Sequence, residues 1–231
     1  MSYAYALWSG LLLGIWLLVF AGLRDGENRR QMLITSGLTA LLGLTEPLFV
    51  PDYWDPPTLF DLAQRTGFDL ESLIFAFAAG GLAGSLYERL FPVRHENVPD
   101  AERHRRRHRF HLLALLSPAV AFVGLYPIDA LNPIYAAILA MLIGSVFAAW
   151  CRPDLLRQML GGAALFGVLY YVFFLSLVLV HPAYVDRVWN LADLSGVLLI
   201  GVPLEEVLFA LGLGLLWSSA YEHLHWLRAA R

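Results

Sequence analysis

Residues 201–222 read GVPLEEVLFALGLGLLWSSAYE, an apolar run of helical length that carries two adjacent glutamates just after a proline. A charged carboxylate at the centre of a bilayer costs about 2.5–3.5 kcal/mol on insertion scales, so Glu205 and Glu206 mark a site. The run has a second copy. Leu70 to Leu90, LESLIFAFAAGGLAGSLYERL, aligns without gaps on Leu204 to Leu224, LEEVLFALGLGLLWSSAYEHL. Glu71 falls opposite Glu205, Phe75 opposite Phe209, and Tyr87-Glu88 opposite Tyr221-Glu222. Upstream, Arg30-Gln31-Met32-Leu33 reappears as Arg157-Gln158-Met159-Leu160, and Pro51-x-Tyr53 as Pro182-x-Tyr184. The chain contains a duplicated unit.

Composition sets the solvent. With 231 residues, 58% of them hydrophobic and 15% charged, and a mean hydropathy of +0.60, the chain is too apolar for a soluble domain. It reads as an integral membrane protein. Its one cysteine, Cys151, allows no intrachain disulfide, and the absence of C-x-x-C predicts no thiolate metal or redox site.

Spans of about 20 apolar residues cross a hydrocarbon core of about 30 Å, and seven are predicted: Ala4 to Leu23, Met32 to Val50, Leu70 to Phe91, His111 to Tyr126, Pro133 to Trp150, Met159 to Val180, and Leu194 to Trp226 with a kink at Gly201-Val202-Pro203. The leader MSYAYA has neither charge nor a small-residue cleavage pattern, so the first span is expected to be uncleaved. The expected fold is all-α and polytopic, with two parallel three-helix repeats, 1–92 and 132–231, joined by a basic loop and connecting helix at 93–131. All sixteen basic residues are arginine, and all but Arg65 and Arg187 fall on one side if the first span enters from outside. The positive-inside rule then places the amino terminus outside and the carboxyl terminus in the cytoplasm of a cell (inner) membrane. The stretch VRHENVPDAERHRRRHR, residues 93–109, is expected to be a solvated topology-setting loop rather than a nucleic-acid or anionic-lipid site.

Counting along the helices at 1.5 Å per residue places Glu46 about 21 Å and Glu71 about 26 Å above the arginine-rich end. By the repeat, Glu205 matches Glu71, with Glu206 one step round. Four carboxyls are therefore expected to converge in the outer part of the bundle, beyond reach of the inner-loop arginines. Protonation is the cheapest remedy for such burial, and a buried neutral acid is a proton donor. Glu88 and Glu222, near the inner interface, read as hydrogen-bonding groups between helices. Phe75 and Phe209 lie one turn beyond Glu71 and Glu205; an aromatic face beside an acid suits a carbocation as well as packing. Tyr53, Trp54 and Tyr184 sit in outer loops where aromatic anchors concentrate, and His181 reads as a loop histidine. Nucleotide, flavin and zinc-protease motifs are missing, as is the paired Asp motif for a magnesium-bound diphosphate, and the absence of lysine excludes a retinal Schiff base.

At these residues the chain resembles the membrane lycopene cyclase domain family of bacteria, archaea and fungi, which is unrelated to the flavin-binding soluble cyclases. The resemblance rests on Glu46-Pro47-x-Phe49-x-Pro51-x-Tyr53-Trp54, on Glu71-Ser72-x-x-Phe75 with Tyr87-Glu88, and on Pro203-Leu204-Glu205-Glu206-x-x-Phe209 with Tyr221-Glu222. It covers nearly the whole chain, with both halves in one polypeptide. It implies an isomerase of the intramolecular lyase type that closes the linear ends of lycopene into ionone rings, giving β-carotene via γ-carotene, with no cofactor and no metal. The resemblance leaves Glu205 or Glu206 as the expected proton donor, and Glu71 and Glu46 as base or cation stabilisers. Phe75, Phe209, Tyr53, Trp54 and Pro203 are the candidate substrate-binding residues. The expected partners are the polyene, the bilayer and other carotenoid-pathway enzymes, with no nucleic acid. Carotenoid hydratases, prenyl-adding enzymes and a 3+1+3 transporter are the rival readings, although a carrier should show a polar pathway that the Leu-, Ala-, Val-, Phe- and Gly-rich spans lack.

Overall fold

The computed structural model describes residues 3–91 and 93–229, so the terminal residues that the topology expectation places on opposite sides lie outside the described residues. Its main helices are α1 (Ala4–Gly22), α2 (Gly26–Leu42), α3 (Leu70–Leu90), α4 (His111–Leu125), α5 (Pro133–Cys151), α6 (Leu156–Val180) and α7 (Leu204–Trp217). After a break at Ser218-Ser219, α7 continues as Ala220–His225. Among the described residues, six helical stretches are long and apolar enough to cross a membrane: Ala4–Gly22, Leu70–Leu90, Arg106–Leu125, Pro133–Cys151, Pro153–Val180 and Leu204–His225. They make the chain an integral membrane protein.

The helix missing from those six is α2. It has 17 residues, starts in the polar stretch GENRRQ behind an Asp25 cap that accepts from the Glu27 N–H at 3.2 Å, and gives way to a 3-10 segment, Gly43–Leu48, containing Pro47. The expected span from Met32 to Val50 is therefore earlier and shorter as a regular helix. Beyond its first turns the polar residues face inward: Gln31, Thr35, Ser36 and Thr39 are all buried against α3. There α3 presents Gly80, Gly81 and Gly84. A Cβ on Gly80 would lie 1.8 Å from the Thr39 hydroxyl, so only glycine permits this approach. The second half repeats the device between α6 and α7, where a Cβ on Gly214 would lie 2.8 Å from the Gly162 carbonyl oxygen. The packing partners correspond as well: α2 lies on α3 as α6 lies on α7, α1 on α3 as α5 on α7, and α4 packs on α5.

The last span differs from the expectation. Leu194 to Pro203 is not a kinked helix. It is a tight hairpin in which Leu198–Leu199 pairs antiparallel with Val202–Pro203 around Ile200 (φ +52°) and Gly201 (φ +82°). A positive φ is natural for glycine, and Pro203 has no N–H to offer a helix, so the helix starts only at Leu204. The Leu204 N–H closes onto the Val197 carbonyl at 2.9 Å. The hairpin thus satisfies backbone groups internally while Val197 to Ile200 stay exposed.

At the arginine-rich end the 93–109 stretch is more ordered than a plain solvated loop. His95–Asn97 pairs with Leu227–Ala229, and Arg228 reaches Glu96 at 2.8 Å and Glu102 at 3.2 Å. At the opposite end the outer loops of the two halves clasp each other: Asp55 N–H donates to the Val188 carbonyl at 2.8 Å, and Asn190 N–H to the Tyr53 carbonyl at 3.0 Å. That clasp positions the site.

Candidate active site

Between the helices lies a cavity of about 530 Å³, to which all seven helices and the clasped outer loops contribute side chains. It runs from Glu206 on the first turn of α7 to Trp217 on its last, about 16 Å at 1.5 Å per residue. Its size falls within the range of about 300–1,000 Å³ usual for small-molecule sites. Its walls are aliphatic and aromatic, and its two acidic residues, Glu46 and Glu206, both stand at the clasped end.

Glu206 is fixed by three donors. Tyr53 from the first half and Trp189 from the second donate to Oε1, the indole N–H at 3.0 Å, and Tyr170 on α6 donates to Oε2 at 2.6 Å. Glu46 is held differently. Its Oε1 is buried with no hydrogen-bond partner among the described residues, and Ser72 and Trp54 line the cavity with it. Ser72 is in turn anchored: its backbone N–H and hydroxyl donate to Asp69 at 2.6 and 2.9 Å, and the Tyr5 hydroxyl lies 2.8 Å away. Burial pushes the Asp69 carboxyl above its ordinary value, ahead of the opposing Ser72 hydrogen bonds.

The other two candidate carboxyls do not reach the cavity lining. Glu71 accepts the Leu59 N–H at 2.6 Å. Glu205 accepts the Ser195 N–H at 2.9 Å and the Tyr135 hydroxyl at 2.7 Å. Each is buried and tied to the loop just upstream of its own helix. The expected convergence of four acids therefore resolves into a facing pair, Glu46 and Glu206, and a clamping pair, Glu71 and Glu205.

Of the candidate binding residues, Phe75, Phe209, Tyr53 and Trp54 line the cavity, whereas Pro203 is buried in the hairpin outside it. Tyr53 and Tyr184 are buried residues facing inward rather than exposed anchors. Tyr170 and Trp189 carry no expectation from sequence, and Ser72 enters there only as part of the Glu71-Ser72-x-x-Phe75 motif, with no role of its own. Tyr170 is a hub. Its ring meets those of Phe75, Phe173 and Phe209 at centroid distances of 6.1, 5.9 and 6.3 Å while its hydroxyl holds Glu206. One signal was there: a tyrosine deep in an apolar span has a hydroxyl that demands a partner.

A second polar cluster lies at the far end of α3. Gln158 Nε2 lies 2.6 Å from Glu88 Oε1, 2.7 Å from Glu222 Oε1 and 2.5 Å from the Ser218 carbonyl, three acceptors that share its two hydrogens. Its counterpart Gln31 donates to the Gly84 carbonyl at 2.7 Å. His95 closes the cluster with Nε2 at 2.9 Å from Glu222. Burial pulls the His95 pKa down, but the hydrogen bond and charge of Glu222 outweigh it and leave the imidazole above its ordinary value. Glu88 and Glu222 thus join helices, in line with the role read for them from sequence.

Residues 132–224 match the family model described as Lycopene cyclase. No curated protein and no solved structure matches the chain.

Proposed function

We propose that the chain is a lycopene cyclase that closes the linear ends of lycopene into ionone rings, giving β-carotene via γ-carotene, by acid catalysis without a cofactor. The observation that carries this reading is the pair of carboxyls, Glu46 and Glu206, facing an aromatic cavity with no comparable polar lining elsewhere among its described residues. The match to residues 132–224 supports a carotenoid substrate, and the apolar lining argues against the polar pathway of a carrier.

Cyclisation is redox neutral. An acid adds a proton to the terminal double bond, the tertiary cation is attacked by the neighbouring double bond to form the ring bond, and a base removes a ring proton to set the new double bond. We assign the donor to Glu46, because its unpartnered oxygen is free to present a proton, and the base to Glu206, because it accepts from three donors and so has the hydrogen-bond pattern of a carboxylate. This reverses the roles that the sequence favours. The rings of Phe75, Phe209 and Tyr170 line the cavity and stabilise the cation, and the largely apolar lining disfavours the water that would trap it as an alcohol. Glu71 and Glu205 act through the loops they clamp.

The duplicated unit, 1–92 and 132–231 about the connecting segment 93–131, accounts for the matching hydrogen bonds of Gln31 with Gly84 and Gln158 with Ser218. In this reading α2 and its 3-10 extension form a seventh span that turns its polar face to α3 and leaves Leu33, Leu38, Leu41 and Leu44 exposed to lipid. The arginine-rich end is cytoplasmic and the clasped end faces outward.

The mechanism is tested by running the purified protein in D2O on lycopene, with no flavin, nicotinamide or metal added. One deuteron per ring closed is expected, because the added proton comes from an exchangeable carboxyl. Rings formed without deuterium, or formed only with reduced flavin, contradict it.

A further inference from the structure

The arginine-rich end holds a cluster that the cyclisation chemistry does not use. His108 and His111, on the 3-10 turn and first residue of α4, and Cys151, the last residue of α5, bring one nitrogen or sulfur each to within 4.8 Å of one another. Cys151 Sγ lies 3.5 Å from His108 Nδ1 and 3.6 Å from His111 Nδ1. A tetrahedral zinc with Zn–S about 2.3 Å and Zn–N about 2.0–2.1 Å separates sulfur from nitrogen by about 3.6 Å, so both separations already have the values a shared metal requires. A third imidazole adjoins the group. His223 is 1% exposed, its ring is 4.5 Å from that of His111, and its Nε2 has no hydrogen-bond partner among the described residues. Cys151 is fully buried and His108 is 6% exposed.

We propose that His108, His111 and Cys151 bind a divalent transition metal of the zinc class, with His223 Nε2 available as the fourth ligand. The metal is a structural clamp. It ties the connecting helix α4 to α5, and through His223 to the end of α7, three segments whose ligands are too far apart in sequence for a contiguous motif to show them. Two imidazoles and a thiolate suit zinc rather than magnesium or calcium. Binding displaces the thiol proton to solvent. It also moves the His108 ring proton from Nδ1 to Nε2, which now accepts from Arg107 Nε at 3.3 Å. Arg107 is then released onto Glu102, whose carboxylate it already meets at 3.2 Å.

The test uses the full chain purified in detergent, dialysed against metal-free buffer after equilibration with Zn²⁺, and analysed by elemental mass spectrometry. About one zinc per chain is expected, falling at least tenfold in Cys151→Ser and in the double variant His108→Ala/His111→Ala. Loading the wild type with Co²⁺ should produce a thiolate-to-cobalt charge-transfer band. Because this spectrum needs no variant, it decides the matter even if the substitutions prevent folding. Background zinc in the wild type without a cobalt band overturns the proposal, as does stoichiometric zinc that persists in folded Cys151→Ser.

Discussion

Glu71 and Glu205 occupy equivalent positions in the two copies and do the same thing: each accepts a backbone N–H from the loop leading into its own helix, Leu59 at 2.6 Å and Ser195 at 2.9 Å. A carboxylate spent on a backbone donor is an anchor. Replacement by glutamine keeps an acceptor oxygen and the side-chain shape. Glu71→Gln and Glu205→Gln should therefore keep cyclisation within about tenfold of wild type while lowering thermal stability by about 1–3 kcal/mol, the range for weakening a buried hydrogen bond. Initial rates and melting in detergent check this; a loss of two orders of magnitude in rate with unchanged stability would move the acid to these positions.

Tyr170→Phe removes the hydroxyl on Glu206 and keeps the ring among Phe75, Phe173 and Phe209. The rate should fall about tenfold or more with little change in substrate uptake, because the base loses a positioning donor while the cavity keeps its shape. An unchanged rate constant at saturating polyene would contradict the role given to Glu206.

How much of this was legible in the sequence follows from what repeats and what folds back. The duplication, the apolar spans and the acids beside Pro47 and Pro203 are one-dimensional signals, and Glu46, Glu206, Phe75, Phe209, Tyr53 and Trp54 all line the cavity. The division of labour was not legible. Glu205 and Glu206 are neighbours in sequence, and only the hairpin at Leu198–Pro203 decides that Glu205 turns to Ser195 while Glu206 turns inward. Thr35, Ser36 and Thr39 fall within the expected span from Met32 to Val50, and hydropathy cannot show that they and Gln31 are buried against α3. Trp189 comes from a loop whose path depends on its clasp with the Tyr53 segment.

The glycine contacts predict a stability effect independent of the chemistry. Gly80→Leu drives a side chain into Thr39 and Gly214→Leu drives one into the Gly162 backbone; overpacking costs about 1–3 kcal/mol or more. Both variants should melt earlier or fail to accumulate in membranes. Wild-type melting in either would mean that the helices are not in this contact.

His95 makes stability depend on pH. Burial lowers its affinity for a proton, the Glu222 contact raises it further, and the folded-state pKa ends above the ordinary value of 6.5. The stabilisation is therefore complete below the unfolded value and is lost as the pH rises through the raised folded one. Melting temperature should fall as the pH rises above the ordinary histidine value and through the raised folded one, and His95→Gln should flatten that fall. A wild-type profile that rises over this window, or one that His95→Gln leaves unchanged, refutes the assignment.

The most direct test of the central claim is chromatography of the pigments made by a lycopene-producing host that expresses this chain. Wild type should convert lycopene into ring-bearing carotenoids, whereas Glu46→Gln and Glu206→Gln, present in the membrane at normal amounts, should each leave at least about a hundredfold less product per unit time, the usual scale for a general acid or base. Lycopene left intact by the wild-type chain, or near-normal cyclisation by both variants, would contradict the account.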